Sequence, residues 1–397
     1  MRFTKACIPL GAGWSSPFAR WQGPLAETSS LDLAVSVTAR ALADREIPAA
    51  AIAELILGWT IPQPGMFYGA PTVAARLGAT GISGPMISQA CATAAVALAH
   101  AAAAVEVEVE DEGLRLVVLT DRTSNGPHLT YPSPSSPGGT PIAEDWVMDN
   151  FRRDPWAGSS MIQTAEAVAA EEKISRQEID DVTALRYEQY ARSLADDRAF
   201  QRRYMVPVEL PAKRGDKTTL DADVGIHATS RAALADLQPV ERGGVITYGS
   251  QTHPADGAAG ALVASAERAR SLGVEGVARI LAFGKTRVEK ARMPKAPLPA
   301  ARAALDAAGL GFENLDAVTT HNPFAVNDVY FSRAAGIPHE KINAFGSSLV
   351  YGHPQAPTGA RALVELIETL RLRGGGVGLF TGCAAGDTAA ALVVRVD

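Results

Sequence analysis

Four side chains of this sequence have the chemistry of a nucleophilic site: the thiols of Cys91 and Cys383 and the imidazoles of His321 and His353. They lie in turns rich in glycine and alanine, where small neighbours leave room for a substrate. A thiol together with an imidazole is typical of a cysteine nucleophile whose proton is taken by a base. The sequence therefore predicts nucleophilic catalysis, provided that the fold brings these residues together.

Cys91 follows a strand-like segment and is predicted to open an alanine-rich helix at residues 91–104. A thiolate at that position lies in the positive field of the helix N-terminus, which lowers the pKa of the thiol. Free backbone N–H groups of the first turn can also hold an oxyanion. The alternative is a buried, unreactive cysteine. The small neighbours of Cys91 favour the catalytic interpretation.

His353 lies in a Gly-His-Pro turn, which is predicted to fix the backbone and expose the imidazole to a cleft. There it can accept a thiol proton or polarise a carbonyl. Cys383 follows the predicted strand 377–381 and precedes a second β-rich run, so we expect a hairpin with a possible acid/base thiol. The alternatives are a loop histidine with a local hydrogen bond and a core cysteine at a strand end.

The same four residues could instead ligate zinc as a Cys2His2 site. Such sites are usually built from closely spaced pairs of ligands. The sequence contains no C-x2-C or H-x3-H pair, and the four residues are spread over most of the chain. We therefore expect no metal.

The composition favours a large α/β core. The chain has 397 residues, of which 47% are hydrophobic and 20% are charged, which suggests two or three domains or one duplicated core. The net charge of −6 argues against a nucleic-acid partner. Three cysteines are too few for a disulfide framework, so we expect a cytoplasmic protein.

Two segments bear on export and membranes. The first ten residues contain no long apolar run, so we expect no signal peptide. Residues 90–107 form the most apolar run, but they are mostly alanine and include Thr93 and His100. We expect a buried helix there and no membrane partner.

The predicted elements divide the chain into three sections, 1–120, 121–245 and 246–397. The outer sections alternate helices and strands, and the middle section holds proline-rich loops, charged helices and a basic stretch. Residues 39–59 and 301–319 share an order of helix, tight turn, short helix start and strand. This order predicts a duplication, with chance similarity of alanine-rich helices as the alternative.

The chain resembles the thiolase family in blocks that follow one another along nearly its whole length. The blocks are Ser16-Pro17-Phe18-Ala19-Arg20, Cys91 with its small-residue helix, Met161 with Thr164-Ala165-Glu166, residues 174–180, Asp256-Gly257-Ala258-Ala259, Gly352-His353-Pro354 with Thr358-Gly359-Ala360-Arg361, and Thr381-Gly382-Cys383.

The sequence departs from the family pattern at three places. His321-Asn322-Pro323-Phe324 stands where many thiolases have Asn-Glu-Ala-Phe, and its first histidine is more similar to the sterol-carrier-type branch. Ala-Ala-Gly-Asp follows Cys383 in place of a run of glycines. Ser160 stands where biosynthetic thiolases often have histidine.

The resemblance implies a fold and an assembly. The fold is a duplicated α/β core in five layers, α-β-α-β-α. The section 121–245 is an inserted loop domain that covers the active site. The protein is then a homodimer or a homotetramer.

The resemblance also implies an activity, the reversible Claisen condensation and thiolytic cleavage of 3-ketoacyl-CoA in fatty acid metabolism. Cys91 carries the acyl group, His353 takes its proton and Cys383 moves the proton of the α-carbon. His321 contributes to one oxyanion site, and the backbone N–H groups of Cys91 and Ala385 form the other. Coenzyme A thioesters are substrates, and no cofactor is needed.

The implied substrate contacts lie mainly in the middle section. They are Met161, Thr252 and Phe324, together with a basic cluster that could hold the phosphates of coenzyme A, namely Arg202, Arg203, Lys213 and Arg214, with Lys217 nearby. The alternative for the basic cluster is an ordinary solvated surface.

Two other functions remain open on the sequence alone. A condensing enzyme of the ketosynthase type would also use a cysteine and histidines, but it would not need the second thiol of Cys383. A weakly active or non-catalytic thiolase-like subunit would need a partner chain. Asn322-Pro323 and Ala384-Ala385 keep that second alternative open.

Overall fold

The computed structural model describes residues 1–108, 113–124, 126–213 and 216–397, and at 211–213, 216 and 217 it describes the backbone alone. The strands are β1 (Ala6–Pro9), β2 (Gly13–Ser15), β3 (Ala19–Arg20), β4 (Ile52–Gly58), β5 (Met86–Ile87), β6 (Leu114–Arg122), β7 (His128–Tyr131), β8 (Ile142–Asp145), β9 (Val208–Lys213), β10 (Asp216–Leu220), β11 (Ala255–Ser265), β12 (Val277–Arg287), β13 (Ala317–His321), β14 (Gly376–Ala384) and β15 (Thr388–Val396). The helices are α1 (Ser30–Ala43), α2 (Gly69–Arg76), α3 (Thr93–Val107), α4 (Met148–Arg152), α5 (Met161–Glu171), α6 (Arg176–Ser193), α7 (Ala195–Arg198), α8 (Arg231–Ala235), α9 (Ala266–Arg270), α10 (Pro297–Ala308), α11 (Ala325–Ala335), α12 (Ser348–Tyr351) and α13 (Ala356–Leu372).

Most strands form one mixed sheet with two halves. The first half has the order β5-β4-β6-β11, with β2 and β3 also paired to β11, and the second has the order β13-β14-β15-β12. β1 joins them, because it pairs with β12 on one side and with the end of β11 on the other. β4 and β6 are parallel and β6 and β11 antiparallel, just as β13 and β14 are parallel and β14 and β15 antiparallel.

Helices cover both faces of each half of the sheet. Successive side chains of a strand point to opposite faces, so each strand contributes to two hydrophobic cores. In the first half, Ile56 packs into a core with α3 and α13, whereas its neighbour Leu55 packs into a second core with α1 and α2. In the second half, Leu392 joins the core of α3 and α13, whereas Val393 packs with α10. Helices α3 and α13 are therefore the middle of five layers, which confirms the predicted fold class.

The predicted elements lie close to the observed ones. The predicted helix 34–45 corresponds to α1, and the predicted strand 114–120 corresponds to β6. In each half a long helix leads through a short 3-10 turn, Ala49–Ala51 or Phe312–Asn314, into a strand, β4 or β13. The fold thus contains the predicted duplication.

The strand pairing crosses the boundaries of the predicted sections. β11 lies in the last predicted section, 246–397, but it pairs with β6 of the first half along most of its length. The middle section holds α4 to α8 and the two small hairpins β7-β8 and β9-β10. The section boundaries themselves stay a prediction.

Helix α3 lies within the segment Ala90–Val107, which is long and apolar enough to cross a membrane by length and composition. In the fold it packs against α13 and against strands of both halves, and 56% of the segment is buried. A helix enclosed between two sheet layers needs the same apolar composition.

Candidate active site

The thiol of Cys91 and the imidazole of His353 are in direct contact. His353 Nε2 lies 3.1 Å from Cys91 Sγ, although the two residues are 262 positions apart in the sequence. We expected Cys91 to open the helix, but α3 begins two residues later, at Thr93. It lies in a tight turn that the Thr93 hydroxyl holds by donating to Ala90 O at 2.7 Å.

The N–H and C=O groups of His353 are both hydrogen-bonded, which fixes the loop that carries this residue. His353 N donates to His253 O at 2.9 Å, and Ala255 N donates to His353 O at 3.3 Å. Gly352 has a φ of 93°, and a Cβ there would lie 2.7 Å from His253 Nε2, so only glycine fits. The imidazole is buried rather than exposed, and its Nδ1 lies 2.6 Å from Thr358 Oγ1.

Gln355 and Asp121 are parts of the site that the sequence did not reveal to us. The Cys91 thiol donates a hydrogen bond to Gln355 Oε1 at 3.3 Å. The next residue, Ala356, donates its N–H to Asp121 Oδ2 at 2.9 Å. The same carboxylate accepts from the N–H groups of Thr60 and Ile61 and from the Thr60 hydroxyl. Asp121 therefore ties the loop before α13 to the ends of β4 and β6. The signal for it was a carboxylate immediately after the predicted strand 114–120.

His321 stacks on His353, with 4.0 Å between the ring centroids. Its Nδ1 lies 2.9 Å from Ser348 Oγ, and its Nε2 is buried and finds no hydrogen-bond partner among the described residues. One atom each of Cys91, His321 and His353 lies within 4.8 Å of the other two. The fold thus brings three of the four predicted residues together.

Cys383 lies at the end of β14, and β14 and β15 form the predicted hairpin. Asn327 Nδ2 donates to Cys383 Sγ at 3.2 Å, a contact we did not anticipate, although Asn327 follows closely on the His-Asn-Pro-Phe block. Cys383 is buried in an apolar cluster with Phe324, and Met161 packs against the same cluster. One predicted substrate residue, Phe324, therefore belongs to the apolar cluster of this thiol, and another, Met161, packs against it.

The turn after Cys383 is anchored by two carboxylates. Gly386 N donates to Asp154 Oδ2 at 3.0 Å. Asp387, in the left-handed region with a φ of 58°, accepts from Ala291 N and Arg292 N, each at 3.0 Å. The backbone N–H of Ala385 in this turn lowers the pKa of the Cys91 thiol and so favours its thiolate. This agrees in position with the predicted oxyanion role of Ala385, which stays a prediction.

Burial controls the charges of the site. It raises the pKa of the Cys91 thiol to about 12 and outweighs the backbone N–H groups of Ala385 and Cys91, which lower it. The prediction that a helix N-terminus lowers the pKa of the Cys91 thiol is therefore wrong. Burial also raises the pKa of Cys383 well above its usual value, lowers that of His321 to about 3 and lowers that of His353 well below its usual range. The resting site is neutral.

The predicted substrate residues outside this cluster have other contacts. Thr252 Oγ1 donates to Ser348 O at 2.5 Å, next to His321. Arg202 pairs with Asp197 at 2.5 Å, and Arg203 Nε donates to Glu368 of α13 at 2.5 Å. Arg214 and the side chain of Lys213 lie outside the described residues. The predicted phosphate contact of the four basic residues stays a prediction.

Comparison with known proteins gives a consistent set of matches. The family model described as the N-terminal domain of thiolase matches residues 12–267, and the one described as the C-terminal domain matches residues 274–396. A probable acetyl-CoA acetyltransferase of Mycobacterium leprae (strain TN) is 30% identical over 413 residues, which cover 99% of each chain. Human mitochondrial 3-ketoacyl-CoA thiolase has 24% identity and a TM-score of 0.91 over 99% of each chain. The acetyl-CoA acetyltransferase of Bacillus anthracis has 25% identity and a TM-score of 0.90 over 100% of each chain.

The pH dependence of alkylation tests the neutral resting state. With the pKa of Cys91 at about 12, the thiolate fraction rises about tenfold per pH unit through the neutral range. The rate of iodoacetamide addition to Cys91, followed by peptide mass spectrometry, should therefore still rise at pH 10. The same cysteine in urea-denatured protein is the control, and its alkylation rate should level off at about pH 9.5, one unit above the ordinary thiol pKa of about 8.5. A plateau below pH 7 in the folded protein would reveal a thiolate–imidazolium pair instead.

Proposed function

The chain belongs to the thiolase family, and we propose that it catalyses reversible Claisen condensation and thiolytic cleavage of 3-ketoacyl-CoA through an acyl group on Cys91. The observation that carries this proposal is the convergence of Cys91, His321 and His353 within 4.8 Å, beside the hairpin of Cys383. The protein is thus an acyltransferase with coenzyme A thioesters as substrates, of the kind processed in fatty acid metabolism.

The first half of cleavage uses the Cys91–His353 pair. His353 Nε2 accepts the thiol proton across the 3.1 Å contact, and Cys91 Sγ attacks the 3-keto carbonyl carbon. The bond between C2 and C3 breaks, and its electron pair forms the enolate of acetyl-CoA. Cys383 gives its proton to C2. The acyl group remains on Cys91, His353 is protonated and Cys383 is a thiolate.

The second half restores the resting site. The Cys383 thiolate takes the proton of the coenzyme A thiol, and the resulting thiolate attacks the acyl-enzyme. The bond from the acyl carbon to Cys91 Sγ breaks, and Cys91 regains the proton held by His353. Asn327, which donates to Cys383 Sγ at 3.2 Å, stabilises the thiolate between the two halves.

His321 is suited to stabilise the enolate oxygen. If the Ser348 hydroxyl donates to His321 Nδ1 across 2.9 Å, the proton of the neutral imidazole is on Nε2. That nitrogen is buried and unpartnered among the described residues. An N–H that is held in a buried site can donate to an oxygen as charge develops on it.

The assembly we propose is a homodimer through the edge of the first sheet half. Strand β5 is the edge strand of that half, and Phe67 and Tyr68, which lead into α2, are 80% and 69% exposed.

Light scattering of the protein as it elutes from a size-exclusion column should give the mass of a dimer, and Phe67→Glu with Tyr68→Glu should shift it to that of a monomer. Leu372→Glu, at a residue that is 54% exposed at the end of α13, is the control. A parent protein that elutes as a monomer contradicts the proposal.

The Cys383→Ala variant tests the division of labour between the thiols. It should still form an acyl-enzyme at Cys91 on incubation with acyl-CoA, although more slowly, because coenzyme A can leave as its thiolate without the proton that Cys383 supplies. Condensation and exchange of the α-protons of acetyl-CoA should fall by about 10²–10⁴-fold, the usual size of acid–base assistance. Peptide mass spectrometry and proton exchange by NMR measure the two properties.

The result also separates the rival functions. A parent chain that forms the acyl-enzyme but shows no coenzyme A-dependent cleavage is a partner-dependent subunit. A Cys383→Ala variant that condenses at the parent rate has the chemistry of a ketosynthase-type enzyme. Acylation at Cys383 with Cys91 free would overturn the assignment of the nucleophile.

Two substitutions test His321 as the enolate donor. His321→Ala removes the donor and should reduce kcat by about 10²–10³-fold, as for other oxyanion donors. His321→Asn should be milder, because an amide can recruit a water molecule to the same oxygen. His100→Ala, at a histidine on the surface of α3 that is 46% exposed, is the control. Equal activity of His321→Ala and the parent removes His321 from the mechanism.

A further inference from the structure

The orientation of the Ala385 N–H is set by the hydrogen bonds of its turn, because side-chain packing cannot set it. Ala385 is exposed, and it begins the three-residue turn that joins β14 to β15. Burial raises the pKa of the Cys91 thiol, and the Ala385 N–H opposes that rise by favouring the thiolate. An N–H acts in this way only while it keeps its orientation. The groups that hold the turn therefore bear on the chemistry of Cys91.

Gly386, the next residue, is held at both of its backbone groups. Its N–H donates to Asp154 Oδ2 at 3.0 Å, and its carbonyl accepts from Arg287 Nε at 3.1 Å. A peptide group is planar, so a bond to the Gly386 N–H also fixes the carbonyl of Ala385. Only the single bonds of Ala385 itself then separate the fixed plane from the N–H that acts on Cys91.

Asp154 is a rigid anchor, because it is 4% exposed and both of its carboxylate oxygens are hydrogen-bonded. Oδ1 accepts from Trp156 N at 2.7 Å and from Ala157 N at 2.9 Å. The main chain closes the same loop, since Asp154 N donates to Ser159 O and Gly158 N donates to Asp154 O, each at 2.8 Å. The carboxylate thus completes its own loop with one oxygen and reaches the turn with the other.

Asp145 shows that a loop of this kind needs only one carboxylate oxygen. Its Oδ1 accepts from Val147 N at 3.2 Å and from Met148 N at 3.0 Å, which are the same two positions along the chain. The second oxygen of Asp154 is therefore not required by its own loop. It serves the turn that carries Ala385.

A second link runs from the same loop to the same turn through Trp156. The Arg287 guanidinium carbon lies 4.4 Å from the centre of the Trp156 ring, and Arg287 is the residue that donates to the Gly386 carbonyl. Lys290 Nζ lies 4.1 Å from the centre of the same ring. The loop of residues 154–158 thus reaches the N–H of Gly386 directly and its carbonyl through a cation on the ring.

We propose that Asp154 is a positioning residue for acyl transfer at Cys91, because it holds the Ala385 N–H where this group can stabilise the thiolate and the oxyanion. The oxyanion part of this role rests on the proposed function of Cys91, whereas the thiolate part exists without any substrate. A residue of the middle section, 232 positions from Gly386 in the sequence, thereby controls a donor at the end of β14.

The Asp154→Asn variant tests the position of the donor. Its amide can keep its oxygen on the two N–H groups of its own loop, but it then turns an NH2 group toward Gly386 N. Without substrate, iodoacetamide should react with Cys91 at pH 8 about threefold more slowly for each unit by which the thiol pKa rises. The thiolate fraction falls about tenfold, but a more basic thiolate is a stronger nucleophile and recovers part of the loss.

Turnover gives the second measurement on Asp154→Asn. With 3-ketoacyl-CoA, kcat should fall about 10–100-fold, which is less than for a deleted oxyanion donor because the other hydrogen bonds of the turn remain. KM should change little, since the oxyanion forms only on the way to the transition state.

Three matched variants keep a loss of fold from being mistaken for a loss of position. Asp145→Asn is the same change in the matching loop and should leave the alkylation rate and kcat as in the parent. Arg287→Leu removes the second link and should lower both. Lys290→Leu takes a cation from the same ring but leaves the hydrogen bonds of Gly386, so it should lower neither.

The alkylation rates decide the role of Asp154. A parent rate in Asp154→Asn overturns the proposal, and so does equal slowing in Asp145→Asn. A parent chain that does not cleave 3-ketoacyl-CoA contradicts the proposed function alone, because the alkylation of Cys91 involves no coenzyme A compound.

Discussion

The enclosure of helix α13 is the constraint on which the active site depends. Residues 356–370 are all buried, and among them is the charged Arg361, which forms two hydrogen bonds to Asp223 at 2.7 and 2.8 Å. A buried charge must be paired, and removing one partner of such a pair costs about 3–5 kcal/mol. The pair attaches α13 to the loop after β10, and α13 begins directly after the loop of His353 and Gln355. The helix therefore sets where the base stands relative to Cys91.

The packing of the middle layer follows from the same constraint. Gly359 of α13 faces Ala94 of α3, and a Cβ at Gly359 would lie 3.0 Å from the Ala94 Cβ and 3.1 Å from a ring carbon of Phe380. Two helices can share the space between two sheets only when their facing residues are small. The abundance of alanine and glycine in the sequence thus has a mechanical reason. It keeps the segments that carry Cys91 and His353 close together.

Local sequence was sufficient for the elements and for the reactive residues, but not for their surroundings. Strand and helix periodicity predicted α1 and β6, and the small neighbours of Cys91 and the Gly-His-Pro turn of His353 indicated chemistry. The direction of the Cys91 pKa shift was wrong, because burial under distant segments outweighs the local backbone N–H groups. Gln355 and Asp121 were missed, since their partners lie 264 and 235 residues away. No periodic pattern encodes such contacts.

The turn after Cys383 has a consequence for the conformational entropy of the chain. Alanine and aspartate at positions 385 and 387 have fewer accessible backbone states in the unfolded ensemble than glycine would have. Asp387 adopts a φ of 58°, which opposes folding slightly, but its carboxylate recovers this through two backbone hydrogen bonds. The orientation of the Ala385 N–H is thus settled during folding. Glycine at position 385 would give the unfolded chain more conformational freedom to lose, so the turn that holds this donor would be less stable.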